Sequence, residues 1–329
     1  LIYKLKLVTV KNILGVTNLK TQIADWLFLY NTIQQVIDNN LNIRLKIFYF
    51  TLEMSKEQKM LSAFSNILYA KEGIRIAPKD LRSTKQELSE ENLKLISKYE
   101  VYFNKIEEIV EFIDDIRNPF GIYKFMRDYA SVNGVQHKRI IKTNDNKTIE
   151  VDDYYEPNDP DEYVMMFIDH IGLISPDSEN GEKLNLHQSI VKLSSDYLLR
   201  LRNKYKYIPV VIQQQAAAQE SLDNFKANKL KPSSDGLGDC KLTYRDADVI
   251  IGLFSPFKYE IREYMGYDIT FFKDNIRFLE IIGGREGGGG EICPLYFDGA
   301  VNYFKELPKP EDIQGLKKVY DYIKYVVRI

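Results

Sequence analysis

Cysteine and histidine are scarce in this sequence, global charge is nearly absent, and no apolar run is long. Two cysteines (Cys240 and Cys293) and three histidines form neither a disulfide framework nor a zinc-ligand spacing, so a reducing compartment is expected. No run approaches the roughly 18–20 apolar residues that span a bilayer. The opening LIYKLKLVTV lacks the apolar core and cleavage site of a secretory leader. A formal net charge of −2 gives no global basic field, which leaves only a local patch for any nucleic-acid contact. No internal repeat is visible. The first residue is Leu rather than Met, and the expectation is that the chain is part of a longer protein.

What is present is the composition of a globular protein: 329 residues, 44% hydrophobic and 28% charged. Apolar runs with strand character alternate with helical periodicity through the first third. Leu5–Val10 is β-rich, and Thr21–Ile37 sets Ile23, Trp26, Leu27, Tyr30, Ile33 and Val36 on one helical stripe. Ile43–Phe50 reads as a strand, followed by a helix capped by Ser55. Two further helical stretches, SEENLKLISKYEVYFNKI and NPFGIYKFMRDYASV, come next. Residues 133–162 are polar and turn-rich and read as a hairpin insertion turning at 144–146. Tyr163–Asp169 and Ile208–Gln215 read as buried strands with a long amphipathic helix between them, and three closely spaced strands and a final helix follow. The expected fold is α/β, with a mostly parallel twisted sheet flanked by helices and an antiparallel edge from the C-terminal strands. The expected division is a main domain over 1–303 and a helical tail over 304–329.

Chemistry collects at the ends of these strands, where open α/β sheets bind ligands. GVTNLKTQ, Gly15 to Gln22, is one residue short of the phosphate-binding pattern G-x-x-x-x-G-K-[ST]; a glycine between Leu19 and Lys20 would give GVTNLGKT. The second strand leads to Glu53, the next ends in Asp169, and the fourth ends in Gln215. A lysine, a hydroxyl, two acids and an amide in this order fit a phosphoryl-transfer site for ATP and Mg²⁺. Backbone amides from Gly15 to Asn18 and the following helix start would cradle phosphates. Lys20 would neutralise them, and Thr21 and Asp169 would hold the metal. Glu53 would polarise the attacking water, and Gln215 would sense the terminal phosphate. Taken singly, an acid after a strand is more often a helix cap, and a Lys-Thr pair is more often helix surface.

In their order and wording these segments resemble the ATPase domain of bacterial replicative helicases of the DnaB type, which has a RecA-like fold. FYFTLEMSKEQ resembles that family's strand ending in S-L-E-M, and MMFIDHIGLIS its V-I-D-Y-L-Q-L-I strand. IPVVIQQQ resembles V-P-V-V-A-L-S-Q, and RDADVIIGL resembles Q-D-A-D-L-I. LEIIGGREGGGGEICPLYFDG resembles I-I-I-G-K-Q-R-N-G-P-I-G-T-V-x-L-x-F. The resemblance covers nearly the whole chain apart from the 133–162 insertion and the last helix. It implies a homo-oligomeric, hexameric ring that hydrolyses ATP between neighbours and moves on single-stranded DNA in a bacterial or phage-infected cytoplasm. It also implies catalytic roles for Glu53 and Gln215, and an arginine finger at Arg285 reaching the adjacent subunit.

The chain departs from the family at three places. The phosphate loop is short, Gly283 stands where the family has a lysine, and GLGDC with Gly238 replaces the D-L-R-E-S stretch of the DNA channel. Lys226, Lys229 and Lys231 offer substitute backbone contacts, since phosphate binding needs cations rather than base-reading geometry. With Glu53, Asp169, Gln215 and Arg285 all retained, the expectation is an intact loop in the parent protein. The alternatives are a DnaB-like fold kept as a loader or interaction module, and a RecA-like recombination or repair ATPase.

Overall fold

The computed structural model describes residues 10–15, 20–39, 41–82, 87–179, 182–214, 224, 230–233, 236–237, 240–285 and 289–327. Strand β1, Val10–Gly15, ends at the glycine that opens GVTNLKTQ. It lies beyond the Leu5–Val10 run that composition favours; residues 1–9 are outside the described residues. Helix α1 follows as Lys20–Ala24, a π-type stretch Asp25–Tyr30, and Asn31–Asp38. Strand β2, Arg44–Thr51, puts Leu45, Ile47 and Tyr49 on one face and Phe48 and Phe50 on the other. Apolar residues on both faces mean a strand covered on both sides. Helix α2, Lys56–Glu72, starts with the reciprocal Ser55/Gln58 capping box and stops at Gly73, whose φ of 70° suits a residue without Cβ.

Helices α3, Glu90–Lys98, and α4, Glu100–Ile109, lead into strand β3, Val110–Ile113. The sequence pattern does not announce β3, because its four residues continue the apolar spacing of α4. Helix α5, Pro119–Val132, is followed by the expected hairpin, β4 (Gly134–Lys142) and β5 (Thr148–Pro157). Strand β6, Glu162–Asp169, comes next. A long helix, α6, then runs through Leu186–Lys192, a π-type stretch Leu193–Leu198, and Leu199–Tyr205. Strand β7, Ile208–Gln214, helix α7, Leu242–Asp246, and strand β8, Val249–Phe254, complete the parallel region. Strands β9 (Ile276–Gly284), β10 (Ile292–Asp298) and β11 (Tyr303–Glu306) form the antiparallel edge, and α8, Ile313–Tyr322 continued by a π-type stretch Ile323–Val327, is the last described element.

All of these strands except the β4–β5 hairpin share one nine-stranded sheet, in the order β11-β10-β9-β8-β1-β7-β6-β2-β3. From β8 to β3 neighbours run parallel, and from β8 to β11 they run antiparallel. The fold class is therefore the expected one. Helices α1, α2 and α4 cover one face, with Ile23, Ile33, Ile67 and Ile106 packed on Ile47, Phe167 and Val210. Helices α5 and α6 cover the other, with Ile122, Met126, Leu198 and Leu201 on Phe50, Met166 and Val211. A third core joins the antiparallel edge to α8, through Leu316 and Ile323 against Phe254, Phe278 and Tyr296. The first strand crosses over to reach β2 and sits between β7 and β8, so its carboxyl end is where the strand order reverses, the place at which open α/β sheets bind ligands.

Candidate active site

Strand register brings the expected residues to one edge. Gly15 of β1 is opposite Gln214 of β7, and Thr51 of β2 is opposite Asp169 of β6. The Leu52 amide donates to the Asp169 carbonyl at 2.7 Å, so the chain leaving β2 is tied to the end of β6. Glu53 follows in the exposed turn. Lys20 opens α1, whose first turn carries the positive end of the helix. Thr21, one residue on, donates its hydroxyl proton to Asp169 Oδ1 at 2.7 Å. Side-chain chemistry from two elements 148 residues apart in sequence thus meets in one hydrogen bond.

Asp169 is 1% exposed, and its other oxygen is engaged from below. Lys59 Nζ of α2 lies 2.8 Å from Asp169 Oδ2 and 3.0 Å from Asp25 Oδ2. Tyr49 Oη is 2.9 Å from Asp169 Oδ2 and 2.7 Å from Asp25 Oδ1; its single proton serves one carboxylate at a time. Burial pushes the Asp169 carboxyl up, but the adjacent Lys59 ammonium and the hydrogen bonds outweigh it and hold the group below the ordinary aspartate range. Burial lowers Lys59, yet Asp169 and Asp25 together keep it above the ordinary lysine value. Asp25 goes the other way: burial lifts it above its ordinary value despite Lys59. Lys59 thus bridges the two carboxylates, at 2.8 Å from Asp169 and 3.0 Å from Asp25.

Hydroxyl and carboxylate oxygens are hard donors of the kind Mg²⁺ takes, usually one or two from protein alongside water and phosphate oxygens. Thr21 Oγ1 and Asp169 Oδ1 at 2.7 Å fit that donor set. Among the described residues no group of three or more His, Cys, Asp or Glu side chains forms a dedicated metal cage. A cavity of about 700 Å³ opens beside the β2 tip, lined by Met54, Gln58, Arg75, Lys79, Arg82 and Gly299.

The remaining expectations divide. Asn18, Gln215, Lys226, Lys229 and Gly238 lie outside the described residues. Just before Gln215, Gln214 Nε2 reaches His170 Nε2 at 3.2 Å, joining the ends of β7 and β6. Gln213 is fully buried, with Thr243 Oγ1 donating to its Oε1 at 2.6 Å. Lys231 is placed 5.5 Å from the Tyr264 ring centroid. Arg285 is not brought to the edge at all. Gly284 pairs with Val249, and Val249 with Val10, so Arg285 sits beside the amino ends of β8 and β1. That end is separated from Gly15 by the length of β1, about 17 Å. There it faces Asp248 Oδ1 at 3.3 Å and donates to the Arg245 carbonyl at 3.1 Å. A Cβ on Gly283 would lie 2.6 Å from Tyr244 Oη, so the side chain of Tyr244 occupies the space a lysine there would enter.

Three residues of the site escape a reading of the sequence alone: Asp25, Tyr49 and Lys59. The signal is present but faint. Asp25 is followed at helical spacing by the buried Leu29 and Ile33, and Lys59 by the buried Ala63 and Ile67, each polar residue lying on an apolar stripe.

Comparison of the fold with solved structures agrees with this architecture. The chain superposes on a solved structure described as an "ATPase Domain" with a TM-score of 0.63 and 16% identity, over 91% of this chain and 85% of that one. It superposes on "The Structure Of A DnaB-Like Replicative Helicase And Its Interactions With Primase" with a TM-score of 0.64 and 16% identity. That alignment covers 91% of this chain and 57% of that one, so the chain spans little more than half of the helicase. No protein-family model matches the sequence, and no curated protein does. The fold is that of the RecA-like ATPase domains of DnaB-type helicases.

Proposed function

We propose that this chain is an ATP-hydrolysing motor domain of the DnaB type, working between subunits of a ring on single-stranded DNA. The observation that carries the reading is the Thr21–Asp169 hydrogen bond at the mouth of β1, beside the Glu53 turn. On this reading Thr21 and Asp169 would hold Mg²⁺, which would supply charge neutralisation at the phosphates. The start of α1 and Lys20 receive the phosphates, and Glu53 takes the proton of the attacking water. Arg285 lies at the far end of the sheet from its own site, which suits service to a neighbour's nucleotide rather than its own. A finger supplied in this way contributes about 10³–10⁵ in rate.

The test is ATP hydrolysis with and without single-stranded DNA, in the unaltered chain and in Glu53→Gln. The expected outcome is DNA-stimulated hydrolysis that falls by about 10²–10⁴ in the variant, the usual weight of a general base. Hydrolysis indifferent to DNA would replace the motor by the second reading, a nucleotide-dependent loader or interaction module. The altered channel segment GLGDC and the net charge of −2 favour that second reading.

A further inference from the structure

Beneath the strand tips lies a charged cluster that hydrolysis itself does not require. Lys59 from α2, Asp25 from α1 and Tyr49 from β2 converge on Asp169, and none of the four is more than 2% exposed. As a source of stability such a cluster is a poor choice, because well-packed apolar residues of similar volume usually serve as well or better. Its geometry is specific instead. Lys59 engages Asp169 Oδ2, Tyr49 shares its one proton between that oxygen and Asp25 Oδ1, and Asp169 Oδ1 is left to Thr21. Asp25 in turn holds both Lys59 Nζ, at 3.0 Å, and Tyr49 Oη, at 2.7 Å, so the cation cannot drift from its place.

We propose that Lys59 is a built-in counter-cation for Asp169, a positioning residue that dedicates Oδ1 to the metal side and answers the carboxylate's charge before any metal arrives. The inference rests on the nucleotide-site reading above. Its consequence is a site that discriminates against a bare divalent cation. With Asp169 already paired, attraction for the metal alone is weak, and loading depends on the phosphates that accompany it. Altering a group that only hydrogen-bonds a ligating carboxylate typically costs about 10–100-fold in metal affinity; Lys59 differs in carrying a positive charge that competes with the metal, so its removal is expected to act in the opposite direction.

The test measures Mn²⁺ binding by electron paramagnetic resonance, with Mn²⁺ alone and with a non-hydrolysable ATP analogue. It compares the unaltered chain with an Asp25→Asn/Lys59→Met double variant. The double change removes one charge of each sign and leaves Asp169 without its cation; thermal melting establishes that the variant is folded. The expected result is that Mn²⁺ alone binds about tenfold more tightly to the double variant, while the gain from added nucleotide shrinks. A folded double variant whose affinity for Mn²⁺ alone is unchanged overturns the proposal. Should the double variant not fold, Tyr49→Phe decides: it withdraws one donor from Oδ2 and leaves the Lys59 charge in place, so Mn²⁺ alone is expected to bind no more tightly, and tighter binding overturns. Failure of the unaltered chain to bind Mn²⁺ with nucleotide would count against the ATPase reading, whereas the comparison with Mn²⁺ alone bears on Lys59.

Discussion

At the ends of β2 and β6, Lys59, Asp25 and Asp169 pair with side chains 1–3% exposed. On the β4–β5 hairpin the same residue types pair in the open. Lys138 and Glu150 meet at 2.8 Å with side chains 52% and 58% exposed, and Arg139 faces Asp153 at 3.6 Å. The distances are similar and the surroundings are not. Water screens the hairpin pairs and competes for each partner, so an exposed pair contributes little. Under the strand tips side chains 1–3% exposed have little access to bulk solvent, and removing one charge strands the others. Burial, rather than the number of ion pairs, decides which charges the fold depends on.

The largest expected difference comes from breaking the buried set on one side. Lys59→Met leaves Asp25 and Asp169 facing each other without a cation, and urea unfolding should show a loss of about 3–5 kcal/mol. In the paired Asp25→Asn/Lys59→Met variant only Asp169 is left without a cation, so the loss should be smaller than in Lys59→Met. If the single and double variants unfold alike, the cluster does not act as a unit and the contrast with the hairpin collapses. At the small end, Lys138→Ala should cost about 1 kcal/mol or less. Whatever it costs should fade in added salt, because the pair is within reach of the ion atmosphere. A loss comparable to that of Lys59→Met would mean that the hairpin is structurally central, contrary to its exposed Ile140 and Tyr154.

The hairpin and the strand tips also differ in how legible they are in the sequence. Polar alternation around a turn at 144–146 identifies the hairpin outright, because both its strands are mostly solvent-facing. Glu53 and Asp169 are legible as tips because each follows an apolar run. Asp25 and Lys59 are not, because a single charge within a helix reads as solvated surface; only its place on an apolar stripe gives it away. Strand β3 is missed for a related reason, being too short to show its own period after α4. The position of β1 is obscured by Lys11 and Asn12, polar residues in a strand paired on both sides. The placement of Arg285 at the opposite end of the sheet depends on the antiparallel pairing of β8 with β9, which no local pattern encodes.

That placement supplies the most direct test of the account, since on the proposed reading each ATP site would be a joint product of two chains. Chains carrying Glu53→Gln and chains carrying Arg285→Ala should each be nearly inactive in ATP hydrolysis. Mixed and allowed to assemble, they should recover a fraction of the activity, because some interfaces then combine an intact Glu53 from one chain with an intact Arg285 from its neighbour. Full activity in Arg285→Ala alone, or no recovery in mixtures shown to co-assemble, would contradict a site completed across a subunit boundary.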